Sequence, residues 1–177
     1  MKEFLANIEA LRESAREEID HGPLLDPSGA DHQRLIFVLN QELAVNVVCA
    51  VNHMRHFVTA DRLHARSAAA EFLEHTVQES EHSDLLVARI QQLGGEADVS
   101  RDRIVSRSRV EFNSPRDLEA LIREDLVAEN IAIAAYADSI AWLADVDPLS
   151  ARLLEQVLSL EEEHAAVMLG LVAVANN

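Results

Sequence analysis

The 177-residue chain is long enough to bury a core without disulfides or a structural metal, and its single cysteine, Cys49, excludes an internal disulfide framework. Hydrophobic residues make up 49% and aromatics only 4%, with five Gly and four Pro, a composition that favours helices and leaves little for strands or loops. A formal charge of −16 argues against nucleic acid or an anionic membrane as partner and favours cations.

The first predicted element is a helix from about Lys2 to Asp20, with Phe4, Ile8, Leu11, Ala15 and Ile19 on one stripe. It starts Met1-Lys2-Glu3 and carries acids through its first turns, unlike a signal or transit peptide, and the lone cysteine suits a reducing cytoplasm. His21-Gly22-Pro23 stops it, and Asp26-Pro27-Ser28-Gly29 makes a turn, so residues 1–30 read as an N-terminal helix and turn. Residues 31–177 read as a four-helix bundle. Its first helix runs from about Asp31 to Ala60, and its second from an N-cap at Ser67 to Gly94-Gly95.

A connection of roughly 20 residues, rich in Ser, Arg and Asp, follows. Ser114-Pro115-Arg116-Asp117 opens the third bundle helix, with Ser114 as N-cap, and Asp147-Pro148 opens the fourth, which runs to about Val174. Two short links and one long crossover define two antiparallel hairpins, a connectivity of ferritin-like bundles. No unbroken apolar run approaches the roughly 18 residues of a membrane span. Four helices already enclose a core, so the stripe of the N-terminal helix must dock outside its own bundle or on another subunit. A homo-oligomer, at least a dimer and by preference a closed cage, is expected.

The seam of each bundle helix is polar at its middle. The first gives Leu35, Leu39, Glu42, Asn46, Cys49, His53 and Phe57; the second Phe72, His75, Glu79, His82, Leu86 and Leu93. The third gives Leu118, Ile122, Asp125, Glu129, Tyr136, Ile140 and Leu143; the fourth Leu154, Val157, Glu161, His164, Met168 and Leu171. Unpaired carboxylates in a core are costly and repel one another, and a divalent metal pair resolves both problems. Oxygen ligands with one His per metal suit iron, or alternatively manganese, better than copper or structural zinc. Glu and His at i and i+3 face one way on a helix, so Glu79-Ser80-Glu81-His82 and Glu161-Glu162-Glu163-His164 each offer both groups to one centre. The hairpins repeat: 33 residues separate Asn46 from Glu79, and 32 separate Glu129 from Glu161. Cys49 reads as a small core residue, and His75 as a core or channel residue.

Over residues 31–175 the chain resembles the bacterioferritins and Dps-like ferritins. The similar stretches are Leu39-Asn40-Gln41-Glu42-Leu43, Glu79-Ser80-Glu81-His82 leading to Leu93-Gly94-Gly95, Asp125-Leu126-Val127-Ala128-Glu129 and Leu160-Glu161-Glu162-Glu163-His164. The resemblance implies an all-α fold and a di-iron site that oxidises Fe(II) with oxygen or peroxide, two irons per subunit, within a hollow oligomer storing ferric mineral. It assigns Glu79, His82, Glu129, Glu161 and His164 as ligands, with catalysis resting on Glu79, Glu129 and Glu161.

Two departures stand out. The ligand that the family takes from the first bundle helix is Glu, and here the position is Asn46, a weak ligand without charge. Glu42, one turn earlier, or His53, where the family often has Tyr, could replace it; otherwise one metal position is weak. Glu42 and Asp125 read first as an acidic approach to the site. Haem is not expected, because the family's haem-binding Met after the first Glu of this motif is Ser80 here. Two other functions compete: a peroxide-consuming di-iron or di-manganese enzyme, and a bundle with a degenerate site and an assembly role. A rubrerythrin would carry a Cys-x-x-Cys module that one cysteine cannot build, and compaction of DNA needs a basic tail that this N-terminus lacks.

Overall fold

The computed structural model describes residues 29–175, and the helix predicted over residues 2–20 lies outside them. The bundle core and the candidate site lie in the unit formed by residues 35–177. The described residues form five helices and no strand: α1 Ala30–Arg62, α2 Arg66–Gln92, α3 Arg101–Arg107, α4 Leu118–Val146 and α5 Pro148–Ala175. Four are long. The 33 residues of α1 span about 50 Å at 1.5 Å per residue.

Cross-helix contacts fix the directions. Along α1 and α4, Glu42 meets Ser139, Asn46 meets Tyr136 and His53 meets Asp125, so one chain position rises as the other falls. The same holds for α2 and α5, where His82 meets Glu161 and Arg89 meets Ser150. Both pairs are therefore antiparallel. Most of each predicted seam is buried: Leu35, Leu39, Phe72, Leu86, Ile122, Leu143, Leu154, Val157 and Met168 are shut from solvent, whereas Phe57, Leu93, Leu118, Ile140 and Leu171 are half-buried. Near one end of the bundle, Ala60, Ala68, Ala69, Phe72, Leu121, Ile122 and Met168 form a core cluster drawn from all four long helices. Burial of such side chains stabilises by about 1.5–3 kcal/mol for each large one.

The link within the first hairpin and the link out of it use the same capping geometry. After α2, Gly94 takes φ 73° while its N–H bonds Gln91 O and that of Gly95 bonds Ile90 O, a Schellman motif. After α1, His64 takes φ 59° in the same motif, with His64 N–H on Asp61 O and Ala65 N–H on Ala60 O. Two predicted caps move. The cap of α2 falls at Ala65 rather than Ser67, without a side-chain bond, because the tight link leaves the chain already helical at Arg66. The cap of α4 is Asp117 rather than Ser114; its carboxylate accepts from the Ala120 N–H at 2.9 Å, satisfying a donor of the first turn.

The crossover, expected only as a connection, contains the short helix α3. It runs beside α1 and is pinned there by two buried asparagines. Asn40 donates to Glu96 O at 3.1 Å and accepts from the Asp98 N–H at 2.8 Å; twelve residues on, Asn52 donates to Glu111 O at 2.9 Å and accepts from the Asn113 N–H at 3.3 Å. Twelve residues of helix are about 18 Å, so the crossover travels along the bundle from one end toward the other. Both α1 and α4 contain an 18-residue window apolar enough for a membrane span, although no unbroken apolar run was expected. The windows lie on core helices whose seams carry Glu42, His53, Asp125 and Glu129 within the bundle.

Candidate metal centre

The predicted seam residues meet in the middle of the bundle. Glu79 from α2, Glu129 from α4, and Glu161 and His164 from α5 each place one donor atom within 4.8 Å of the others, and all four are buried. His82, one turn from Glu79, lies at the edge of this set, with Nδ1 3.1 Å from Glu161 Oε1 and 3.8 Å from Glu79 Oε2. Five carboxylate oxygens here have no hydrogen-bond partner: both of Glu79, both of Glu129 and Oε2 of Glu161. Leaving such groups buried and unpaired costs several kcal/mol each. Among the described residues, every ion pair of these three carboxylates is with an imidazole, never with Lys or Arg.

Protons shared within the cluster balance its charge. Burial, reinforced by Glu161, pushes the Glu79 carboxyl up to about 7. Burial also pushes Glu129 well above the carboxylate range. Burial alone would lower His82, but Glu161 and Glu79 beside it carry it up to about 9. Burial would raise Glu161 too, yet the imidazoles of His164 and His82 beside it hold it below its ordinary value. Carboxylates and imidazoles that hold protons only because no stronger cation is at hand are good ligands for a divalent metal.

Gln78 orients one of them. His164 Nε2 donates to Gln78 Oε1 at 2.6 Å, which in the neutral ring leaves the Nδ1 lone pair facing the cluster, 3.7 Å from Glu129 and 3.7 Å from Glu161. Sequence reading missed Gln78, which lies beside the seam rather than on it.

Asn46 and Glu42 each have a partner of their own on α4. The Tyr136 hydroxyl donates to Asn46 Oδ1, so the amide oxygen is already engaged with the side chain opposite. Ser139 Oγ donates to Glu42 Oε1 at 2.6 Å, and burial holds the Glu42 carboxyl above its ordinary value despite that bond. His53 does stand among ligand-capable groups: with His75, Asp125 and Glu129 it forms a second buried set whose donors also lie within 4.8 Å of one another. Asp125 and His75, read from sequence as an approach and a core or channel residue, belong to that set. The signal was available, since each precedes a cluster residue, Glu129 or Glu79, by four positions on its helix. The Cys49 thiol is fully buried, and burial with Glu79 and Glu129 nearby raises it well above its usual value, which makes it inert.

A cavity of about 580 Å³ opens beside the C-terminal half of α1, lined by Met54, Arg55, Arg62, Ser114 and Leu121, with His56 on its wall. His56 was also missed by sequence reading. Its Nδ1 lies 2.9 Å from Asp125 Oδ1 and its Nε2 2.7 Å from Asn113 Oδ1, tying the second set to the crossover.

Residues 37–175 match the family model of the ferritin-like domain, and the chain belongs to that family. Similar solved structures include a dodecameric thioferritin, the bacterioferritin-related protein of Bacteroides fragilis. It is 22% identical at a TM-score of 0.76, over 82% of this chain and 88% of that one. The bacterioferritin of Rhodobacter capsulatus, described with a metal-free dinuclear site and a haem iron, is 20% identical at 0.74, over 81% and 86%. No curated protein matches the sequence. At these identities the structural likeness establishes the fold: an all-helical ferritin-like bundle.

Proposed function

We propose that the protein binds Fe(II) as substrate among Glu79, His82, Glu129, Glu161 and His164, oxidises it, and acts in iron storage or detoxification. The observation that carries this reading is the set of five buried carboxylate oxygens without hydrogen-bond partners, gathered by three helices at one point. A bundle kept only for assembly gains nothing from such a costly core. Carboxylate oxygens with imidazole nitrogen suit Fe(II), with Mn(II) as a chemical analogue. Glu79, Glu129 and Glu161 accumulate negative charge where the product Fe(III) carries one more positive charge than the substrate, so they favour oxidation. Two Fe(II) supply the two electrons, and dioxygen takes them with two protons to leave as hydrogen peroxide. Two metal positions per subunit, homo-oligomeric assembly and a cytoplasmic location complete the proposal. The dodecamer of the Bacteroides relative and the strong acidity of this chain support the assembly and the attraction of cations.

The test is the double substitution His82→Ala and His164→Ala, which keeps good helix formers at both positions. Bound iron and the initial rate of Fe(II) oxidation should fall at least tenfold with helicity retained. Oxidation at the wild-type rate in a folded double variant sinks the assignment.

A further inference from the structure

We propose that a second divalent-metal position lies one helical turn along the seam, built from His53, His75 and Asp125 and sharing Glu129 with the position above. It deepens the iron reading and rests on it. The missing carboxylate at Asn46 is thereby replaced not in its own layer but in the next one, toward the end of the bundle where α4 begins.

The geometry is that of ligands around one ion. His53 Nε2 lies 3.1 Å from Asp125 Oδ1 and 3.3 Å from Glu129 Oε1, and His75 Nδ1 lies 3.8 Å from Glu129 Oε1. Donors about 2.1 Å from a common first-row cation stand roughly 3.0–3.4 Å apart at octahedral or tetrahedral angles. Close as they are, these atoms do not satisfy one another. Both nitrogens of His53, Nδ1 of His75, Oδ2 of Asp125 and both oxygens of Glu129 lack a partner in hydrogen-bond geometry, although the side chains are 0–3% exposed.

The simpler alternative is a protonated His53 wedged between two carboxylates. That arrangement would aim an N–H at an acceptor, and here neither ring nitrogen does so. It would also leave His75 without a role. Instead the His75 ring stacks on His164 at 3.9 Å between centroids, 19° from parallel, and meets His53 edge-on at 5.3 Å. Two rings stacked this closely repel if both are charged, whereas metal-bound imidazoles are neutral. The stack places one ligand of each position back to back. Asp125 is held like a ligand as well: His56 fixes its Oδ1, and Asn113, itself bonded to Asn52, fixes His56. Outer bonds of this kind orient a ligating carboxylate.

The two positions differ in chemistry. Three carboxylates with imidazole make the first oxygen-rich; two imidazoles, Asp125 and the shared Glu129 make the second nitrogen-rich. The second therefore suits Fe(II) and still more Co(II) or Zn(II).

The experiment is anaerobic titration of the metal-free, full-length oligomer with Fe(II), and separately with Co(II), counting tightly bound ions per chain. Wild type should bind two. The pair His53→Ala with His75→Ala should bind one, as should Asp125→Asn, which leaves both helices' packing intact and serves if the double variant does not fold. The pair Glu79→Gln with Glu161→Gln should lose the other ion. Asn46→Glu should leave the count unchanged. Two ions retained in a folded His53/His75 or Asp125 variant overturns this inference while the iron reading stands. So does a wild type holding one ion that gains a second only with Asn46→Glu. A wild type whose single ion is lost with His53 and His75 supports the second position and overturns the first. No binding in wild type overturns both.

Discussion

Gln78 decides which nitrogen His164 offers. By accepting from Nε2, its amide oxygen leaves Nδ1 as the donor facing Glu129 and Glu161. Gln78→Ala removes that constraint without touching a proposed ligand. Metal affinity at the oxygen-rich position should fall about 10- to 100-fold, the usual scale for loss of such an outer bond. Competition against a metal-sensitive dye reads the change directly, and an unchanged affinity would mean that His164 is oriented by its packing alone. The proposed ligands were legible from sequence because Glu-x-x-His places both groups on one helix face, and the face of each seam was clear from its apolar neighbours. Gln78 was not legible, because it is adjacent to Glu79 in sequence and so points off the seam. Asn46 looked like a ligand position by register, but its oxygen is spoken for by Tyr136, a partner 90 residues away that no local pattern reveals.

At the scale of elements, the link after α1 stores a strain that is simple to remove. His64 holds φ 59°, a left-handed conformation that costs an L-residue about 1–2 kcal/mol, at the cap position that Gly94 fills after α2. Part of the relief is offset by the greater freedom of glycine in the unfolded chain, about 0.5–1 kcal/mol. His64→Gly should therefore stabilise the fold by roughly 0.5–1 kcal/mol in urea unfolding, with metal binding unchanged, since His64 belongs to neither donor set. A destabilised His64→Gly would show that the exposed imidazole makes compensating contacts. The four long helices, their order and the long crossover followed from punctuation and periodicity, whereas the short α3 within the crossover did not. The seat of the crossover did not, because Asn40 and Asn52 look like ordinary polar residues of α1 until the chain some 60 residues later lies beside them. The cap of α4 fell three residues later than expected, since Ser114 and Asp117 are both competent caps and only the path of the crossover chooses between them.

For the molecule as a whole, the buried cluster couples stability, pH and metal. Glu79 rises from 4.5 to about 7, and His82 from 6.5 to about 9. In both cases the folded chain binds a proton more tightly than the unfolded one, so stability from these groups falls as pH rises through that window. Glu161 and Asp125 are shifted the other way, and their contribution is lost only as pH drops below the ordinary carboxylate range. The Tm of the metal-free protein should accordingly decline between pH 6 and 9. Saturating Mn(II), which needs the deprotonated ligands, should raise Tm most at the alkaline end and release protons on binding. A flat profile in the metal-free protein, or stabilisation by Mn(II) that weakens toward pH 9, would contradict this coupling.

The most direct measurement is anomalous scattering at the iron edge from crystals soaked anaerobically in Fe(II). An iron bound by Glu79, Glu129, Glu161 and His164, with His82 turned toward it, is the predicted result. Iron confined to the outer surface, with those buried carboxylates still unligated, would contradict the central claim.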